Sequence, residues 1–347
     1  MKMLFRWFLP ALLLVLAILL LVNYHLVWTL GSNWFGKKLN LGDLEPWQGG
    51  TIRYQIPYAQ DSDSQYLDLY LPDTDAPAPL FVLVHGGGFI SGDSQTRQTQ
   101  FMIQFFRDRG YACASINYRL GQEAPFPAAV DDVKAAVRYL GQHAEEYGYD
   151  ASQIAVWGES AGGYLAVMTA ITAPDDFEGV NAIGETDGEK FPTPEIKALV
   201  DFYGVMDFPS MKPQFEEQGI PGYVLDIANS WMDKKELGFD SFEEFWMQKA
   251  MNEWTQDETN ACSVNFYAST PRTQNTALRV LVCHGDADIT VPTAQSRVIA
   301  DILSDTYGTD RVDYVEYHGY GHAADAFYSE ENLSMVDAFV QAAFQAK

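Results

Sequence analysis

Positive charge is scarce in this chain: 22 Lys and Arg stand against 47 Asp and Glu in 347 residues, a formal net charge of −25. A field of that sign repels phosphate backbones, which excludes nucleic acid as a partner class. Cysteine is scarce too. Cys113 and Cys283 sit inside apolar runs and Cys262 in a polar stretch, an odd number without regular spacing. That argues against a disulfide framework and for buried small hydrophobes. No pair of Cys or His has zinc-ligand spacing, so neither a metal nor another cofactor is expected. Internal repeats and low-complexity tracts are also lacking.

Apolar residues make up 47% of the chain and aromatics 14%, enough for one large α/β domain or two small ones. At the N-terminus, Lys2 and Arg6 precede an uncharged apolar run at 7–22, and apolar character resumes after Asn23-Tyr24-His25 up to residue 30. About 20 helical residues at ~1.5 Å each span ~30 Å of hydrocarbon. Residues 1–30 are therefore expected to be a membrane anchor, or a signal segment if cleaved. Basic residues ahead of the run place the remainder of the chain outside, membrane-anchored and exported; cleavage would leave it secreted or periplasmic. Residues 31–50 read as a tether to a domain at 51–347.

Strands are expected in that domain at 51–58, 65–71, 80–84, 112–118, 154–158, 196–203, 278–284 and 312–317. The first two suggest an antiparallel edge. Most of the others are continuous apolar runs, with helical patterns at 96–109, 127–146, 161–172, 292–305 and 330–346 between or after them. This is the alternation of a parallel sheet with helices on both faces. Residues 205–275 break it, crowded with Phe208, Phe215, Tyr223, Trp231, Phe242, Phe245, Trp246 and Trp254. Such a stretch is too long for a plain loop and reads as a small helical cap, some of whose aromatics fill its own core while others line a pocket.

Two glycine motifs carry the chemistry. His85-Gly86-Gly87-Gly88 follows the run at 80–84, and Gly158-Glu159-Ser160-Ala161-Gly162 follows that at 154–158. In a chain of this composition G-x-S-x-G is expected by chance roughly one time in ten, and His-Gly-Gly-Gly roughly one time in three hundred. A glycine turn leaving a strand can aim backbone N–H groups at a developing oxyanion, while a serine on a sharp strand-to-helix turn presents its hydroxyl to a carbonyl carbon. Serine needs a base, and the base an orienting acid. Two late runs end in suitable loops: one offers Asp286 and Asp288, the other His318 and His322. Asp288 is the expected acid, with Asp286 in reserve, and His322, deeper in its glycine-rich loop, is preferred over His318. Glu159 is given no catalytic role, and Tyr118 and Arg119 are expected to brace the glycine run.

With these motifs, and with Asn117-Tyr118-Arg119-Leu120, His284-Gly285-Asp286-Ala287-Asp288 and Gly321-His322, the chain resembles α/β-hydrolase serine esterases. The likeness is to the hormone-sensitive-lipase-like branch and related bacterial carboxylesterases, including feruloyl and acetyl-xylan esterase relatives, and runs from about residue 67 to the C-terminus. It implies a mostly parallel twisted sheet with an antiparallel N-terminal edge, helices on both faces and a cap inserted late. It further implies Ser160 as nucleophile, Asp288 as acid, His322 as base, and backbone N–H groups of Ala161 and of Gly87 or Gly88 as oxyanion donors. The expected substrate is a small or aryl acyl ester, and the expected membrane contact is the N-terminal helix alone. The acidic cap departs from a greasy lipase lid and speaks against long-chain triglycerides. Two other readings are a serine peptidase of the same fold and a non-catalytic binding protein on a hydrolase scaffold; the latter would be expected to have lost Ser, Asp or His.

Overall fold

The apolar runs become strands, and their burial sets where each lies in the sheet. The computed structural model describes residues 49–220, 238–239, 241–270 and 277–346. The expected anchor at 1–30, the tether up to residue 48, Tyr223 and Trp231 lie outside the described residues. Among the described residues no helix is long and apolar enough to cross a membrane.

Strands β1 (Thr51–Pro57) and β2 (Tyr66–Leu71) pair antiparallel, Ile52 facing Tyr70 and Ile56 facing Leu67. Then β3 (Ala78–Val84) leads to α1 (Arg97–Arg107), whose first turn is capped by the Thr96 hydroxyl. The alternation continues through β4 (Ala112–Ile116), α2 (Ala128–Gln142), the single turn α3 (Ala144–Tyr147), β5 (Tyr149–Glu159), α4 (Ala161–Ile171) and β6 (Ile196–Phe202). Among the described residues four short α-helices follow, α5 (Met211–Glu217), α6 (Phe242–Met247), α7 (Gln256–Ala261) and α8 (Val264–Ser269). The chain then returns to β7 (Arg279–Gly285), α9 (Ala294–Tyr307), β8 (Val312–Tyr317) and α10 (Glu330–Gln345).

The eight strands form one sheet in the order β1-β2-β4-β3-β5-β6-β7-β8, antiparallel between β1, β2 and β4 and parallel elsewhere. Both faces are covered. Along β3 the side chains of Leu80, Val82 and Val84 join the core under α2, α4 and α9. Phe81 and Leu83 point the other way, into the core under α1 and α10, as a two-residue repeat requires. The apolar positions of α2, from Ala129 to Leu140, are buried as expected.

Differences from the sequence-based expectation fall at element ends and between β6 and β7. Strand β5 starts at Tyr149, because its polar first residues pair with Ala78 and Pro79 before the register shifts at Leu80; apolar periodicity cannot signal that. Strand β4 stops at Ile116: the Asn117 side chain donates to Ser64 O (2.7 Å) and the Tyr118 hydroxyl to His85 O (2.8 Å). The interval expected as a cap breaks into short helices, and its last part belongs to the main domain. Val264, Tyr267 and Ala268 of α8 lie in the core under α4 and α9. All three cysteines are buried and free.

Candidate active site

Ser160 stands where β5 turns into α4, with φ 52° and ψ −121°, a conformation that a non-glycine residue holds only when its surroundings impose it. The surroundings are glycines at close approach. A Cβ on Gly158 would lie 2.0 Å from Gly162 O, and one on Gly162 only 2.1 Å from Val84 O. The G-x-S-x-G spacing is thus the steric condition for this turn. Although Ser160 occupies the N-cap position of α4, its hydroxyl caps nothing there; its Oγ lies 3.0 Å from His322 Nε2.

His322 Nδ1 lies 2.6 Å from Asp288 Oδ2, completing a Ser–His–Asp chain. Asp288 is fully buried and held from several sides. Its Oδ1 accepts from the N–H groups of Thr290 (2.7 Å) and Val291 (2.9 Å), and its Oδ2 also lies 3.1 Å from His284 Nε2. With the Ser296 hydroxyl donating to His284 Nδ1 (2.6 Å), His284 keeps its Nε2–H for Asp288. Burial alone would raise the Asp288 carboxyl, but the charge of His322 and the hydrogen bonds from His284 and His322 outweigh it, holding the group well below the ordinary carboxylate range. The alternatives Asp286 and His318 are paired elsewhere: His318 Nδ1 lies 2.7 Å from Asp286 Oδ2, and the His318 side chain is exposed.

The glycine run curls over Ser160. Gly87 and Gly88 have φ of +122° and +61°, and the N–H groups of Ile90 and Ser91 donate to Gly87 O at 3.1 and 3.0 Å. Among the described residues, the backbone N–H groups of Gly87, Gly88 and Ala161 donate to no other protein group, and all three residues line the pocket that holds Ser160. Tyr118 braces this turn as expected, stacked on His85 with centroids 4.3 Å apart while donating to its carbonyl. Burial lowers the His85 imidazole to about 4, so it is neutral, with Nδ1–H donating to Gly86 O. Arg119 does not take part: its guanidinium pairs with Asp132 on α2 at 2.8 Å. The Asp132 carboxylate also accepts from Arg119 Nε at 2.9 Å and from its backbone N–H at 2.9 Å, which satisfies the group there.

The pocket has a cavity volume of about 480 Å³, within the usual range for small-molecule sites. Its wall includes Phe89, Val205, Met211, Phe242 and Val291 on the apolar side and Ser91, Thr96, Gln98, Glu243 and Thr290 on the polar side. Of the aromatics expected in the cap, Phe242 lines it, whereas Phe208, Phe215, Phe245 and Trp246 are buried in packing. Trp246 stacks on Phe89 at 4.0 Å.

Three neighbours escaped sequence reasoning: His284, Tyr203 and Tyr328. Glu159 Oε2 accepts from the hydroxyls of Tyr203 (2.9 Å) and Tyr328, and the Tyr203 ring lies 4.8 Å from the His322 imidazole. Burial raises the Glu159 carboxyl, and the two tyrosine hydrogen bonds oppose that shift. Tyr328 lies 169 residues from Glu159, so no local pattern joins them; the one available signal was that Tyr203 and Ser160 follow neighbouring strands.

Residues 67–303 match the BD-FAE family model. Among curated proteins, the chain is 31% identical over 181 residues to the probable carboxylic ester hydrolase LipM of Mycobacterium tuberculosis, covering 49% of this chain and 40% of the relative. It is 26% identical over 277 residues to esterase LipC of the same organism, covering 79% and 60%. The chain spans between 34% and 60% of the length of the curated relatives it matches. Among solved structures, a truncated carbohydrate esterase from gut microbiota superposes with TM-score 0.67 at 23% identity, over 85% of this chain and 97% of that one. A propionate-bound thermophilic esterase from Thermogutta terrifontis gives 0.59 at 21%, over 85% and 94%. At these identities the superpositions speak for the α/β-hydrolase fold.

Proposed function

Because this chain belongs to the BD-FAE family, we propose that it is a serine carboxylesterase that hydrolyses small or aryl acyl esters through a covalent acyl-enzyme. The observation that carries this reading is the continuous path from Ser160 Oγ to His322 Nε2 (3.0 Å) and from His322 Nδ1 to Asp288 Oδ2 (2.6 Å), opening on a pocket lined by Gly87, Gly88 and Ala161. The names of the mycobacterial relatives, an ester hydrolase and an esterase, support the same reaction class.

In the proposed reaction His322 Nε2 takes the Ser160 proton as Oγ bonds to the ester carbon, and the carbonyl electron pair moves onto oxygen. The N–H groups of Gly87, Gly88 and Ala161 stabilise that oxyanion. The pair returns, the carbon–alkoxy bond breaks, and His322 passes its proton to the leaving alcohol. Water then gives a proton to His322 and its oxygen to the acyl carbon; Ser160 leaves, is reprotonated, and the acid departs. Asp288 keeps the imidazole in the tautomer with Nδ1–H and stabilises the cation formed in each half. The volume of about 480 Å³ supports short acyl or aryl groups, and the apolar stretch at 7–30 supports a membrane anchor carrying an exported domain.

The test is a p-nitrophenyl ester series on the full chain, followed by labelling with an alkyl phosphonate. Hydrolysis with one phosphonyl group on Ser160, both lost in Ser160→Ala, is expected. Full activity in Ser160→Ala would sink the mechanism.

A further inference from the structure

The pocket wall carries a carboxylate that the reaction does not use. Glu243 is the second residue of α6, and its neighbour Phe242 lies against the glycine run: a Cβ on Gly88 would meet the Phe242 ring at 3.6 Å. The start of α6 thus roofs the place where the ester carbonyl must sit, and Glu243 lines the same space. The rest of the lining leaves that charge uncompensated. Among the described lining residues there is no Lys or Arg, His322 is tied to Asp288 and Ser160, and the other acid, Glu159, is occupied by Tyr203 and Tyr328.

We propose that Glu243 is a specificity-determining residue that selects esters by charge, favouring those with a cationic group on the alcohol portion over neutral isosteres and rejecting anionic ones. The proposal rests on the esterase reading above. Burial raises the Glu243 carboxyl, opposed by a hydrogen bond with Ser241. A half-buried carboxylate with no Lys or Arg in the described lining is restored toward its ordinary ionisation when a ligand supplies a cation. Phe242 adds a ring face beside it, which also attracts cations. An anionic ester meets two carboxylates and no positive side chain in the described wall. One unit charge at this range is worth on the order of tenfold in each direction when solvent partly screens it.

The experiment compares kcat/KM of the full chain, at low ionic strength, for butyrate esters of choline, of its tert-butyl isostere and of a carboxylate-bearing hydroxyalkanoate. The expected order is cationic over neutral by about tenfold and neutral over anionic by about tenfold, narrowing in 1 M salt as screening shortens the field's reach. Glu243→Gln should bring the three within about twofold of one another, and Glu243→Asp should keep the order. Glu253→Gln removes the same unit charge from an exposed turn outside this pocket and should leave the ratios of the parent. Ratios in Glu243→Gln equal to the parent's, or a collapse also in Glu253→Gln, would overturn the proposal while the neutral ester is still hydrolysed. A chain that cleaves none of the three and takes no phosphonate at Ser160 would overturn the esterase reading itself, and this proposal with it.

Discussion

Gly87 and Gly88 belong to the same turn, yet a methyl group should cost far more at the first than at the second. At Gly87 the backbone has φ +122°, and a Cβ would lie 1.9 Å from the Ser91 carbonyl oxygen and 2.6 Å from its carbon. Those are backbone atoms fixed by the hydrogen bonds of Ile90 and Ser91 to Gly87 O, so the turn itself must open. Opening it swings the N–H of Gly87 or Gly88 away from the oxyanion position, and one lost donor costs about 3 kcal/mol of transition-state stabilisation, or roughly 10²–10³ in kcat. At Gly88 the backbone is left-handed at φ +61°, and a Cβ meets nothing closer than the Phe242 ring at 3.6 Å. Alanine there costs about 1–2 kcal/mol of conformational strain without moving a donor. Gly87→Ala is therefore expected to lose at least about 10² in kcat while keeping the melting profile of the parent, and Gly88→Ala to remain within about tenfold of the parent. The assay is steady-state hydrolysis of p-nitrophenyl acetate alongside a circular dichroism melt. If Gly87→Ala kept the parent's kcat, or Gly88→Ala proved the more damaged of the two, the oxyanion assignment would be refuted.

Asp288→Asn should keep the fold but lower kcat by about 10⁴, because the amide presents N–H to His322 Nδ1 and drives the imidazole into the tautomer that cannot take the Ser160 proton; kcat within tenfold of the parent would contradict this. Asp201 offers a stability test. Its carboxyl is fully buried, accepts from Gly204 N–H at 3.1 Å, has no partner on Oδ2 among the described residues, and is pushed by burial from 3.8 to about 8. A folded value above the unfolded one means that its contribution is fully present below about pH 4 and is lost as pH rises towards about 8. Asp201→Asn should therefore gain stability relative to the parent across that window, by about 6 kcal/mol at most for roughly four units. Urea denaturation of the two proteins at several pH values checks it, and parallel curves would disprove it.

The parts of the fold that could be read from sequence were those whose physics is local. Buried parallel strands must be apolar on both faces, so β3, β6 and β7 stood out, and a serine elbow must have glycines at Gly158 and Gly162. The pairing of Asp288 with His322 was within reach because each lies on the loop after a strand: these two meet, while Asp286 and His318 make their own exposed pair. The illegible parts depend on contacts between distant segments. Polar residues at the start of β5 were recruited by Ala78 and Pro79. Arg119 found Asp132 instead of the glycine run. Nothing local distinguishes Phe242, which faces the pocket, from Phe245 and Trp246, which fill the packing behind it.

The Tyr328 hydroxyl on Glu159 has a consequence for how such an enzyme would fail. Tyr328 stands just before α10, and Glu159 is joined covalently to Ser160. Helix α10 is thereby wired to the Ser160 turn, and its release from the sheet would withdraw Tyr328 from Glu159 and loosen Tyr203 against His322. A helix packed on the outside of a sheet opens at lower free energy than the central strands. On heating, ester hydrolysis should vanish with the undocking of α10, while β3, β5 and β6 are still protected from hydrogen exchange, so that α10 acts as the fuse of the domain.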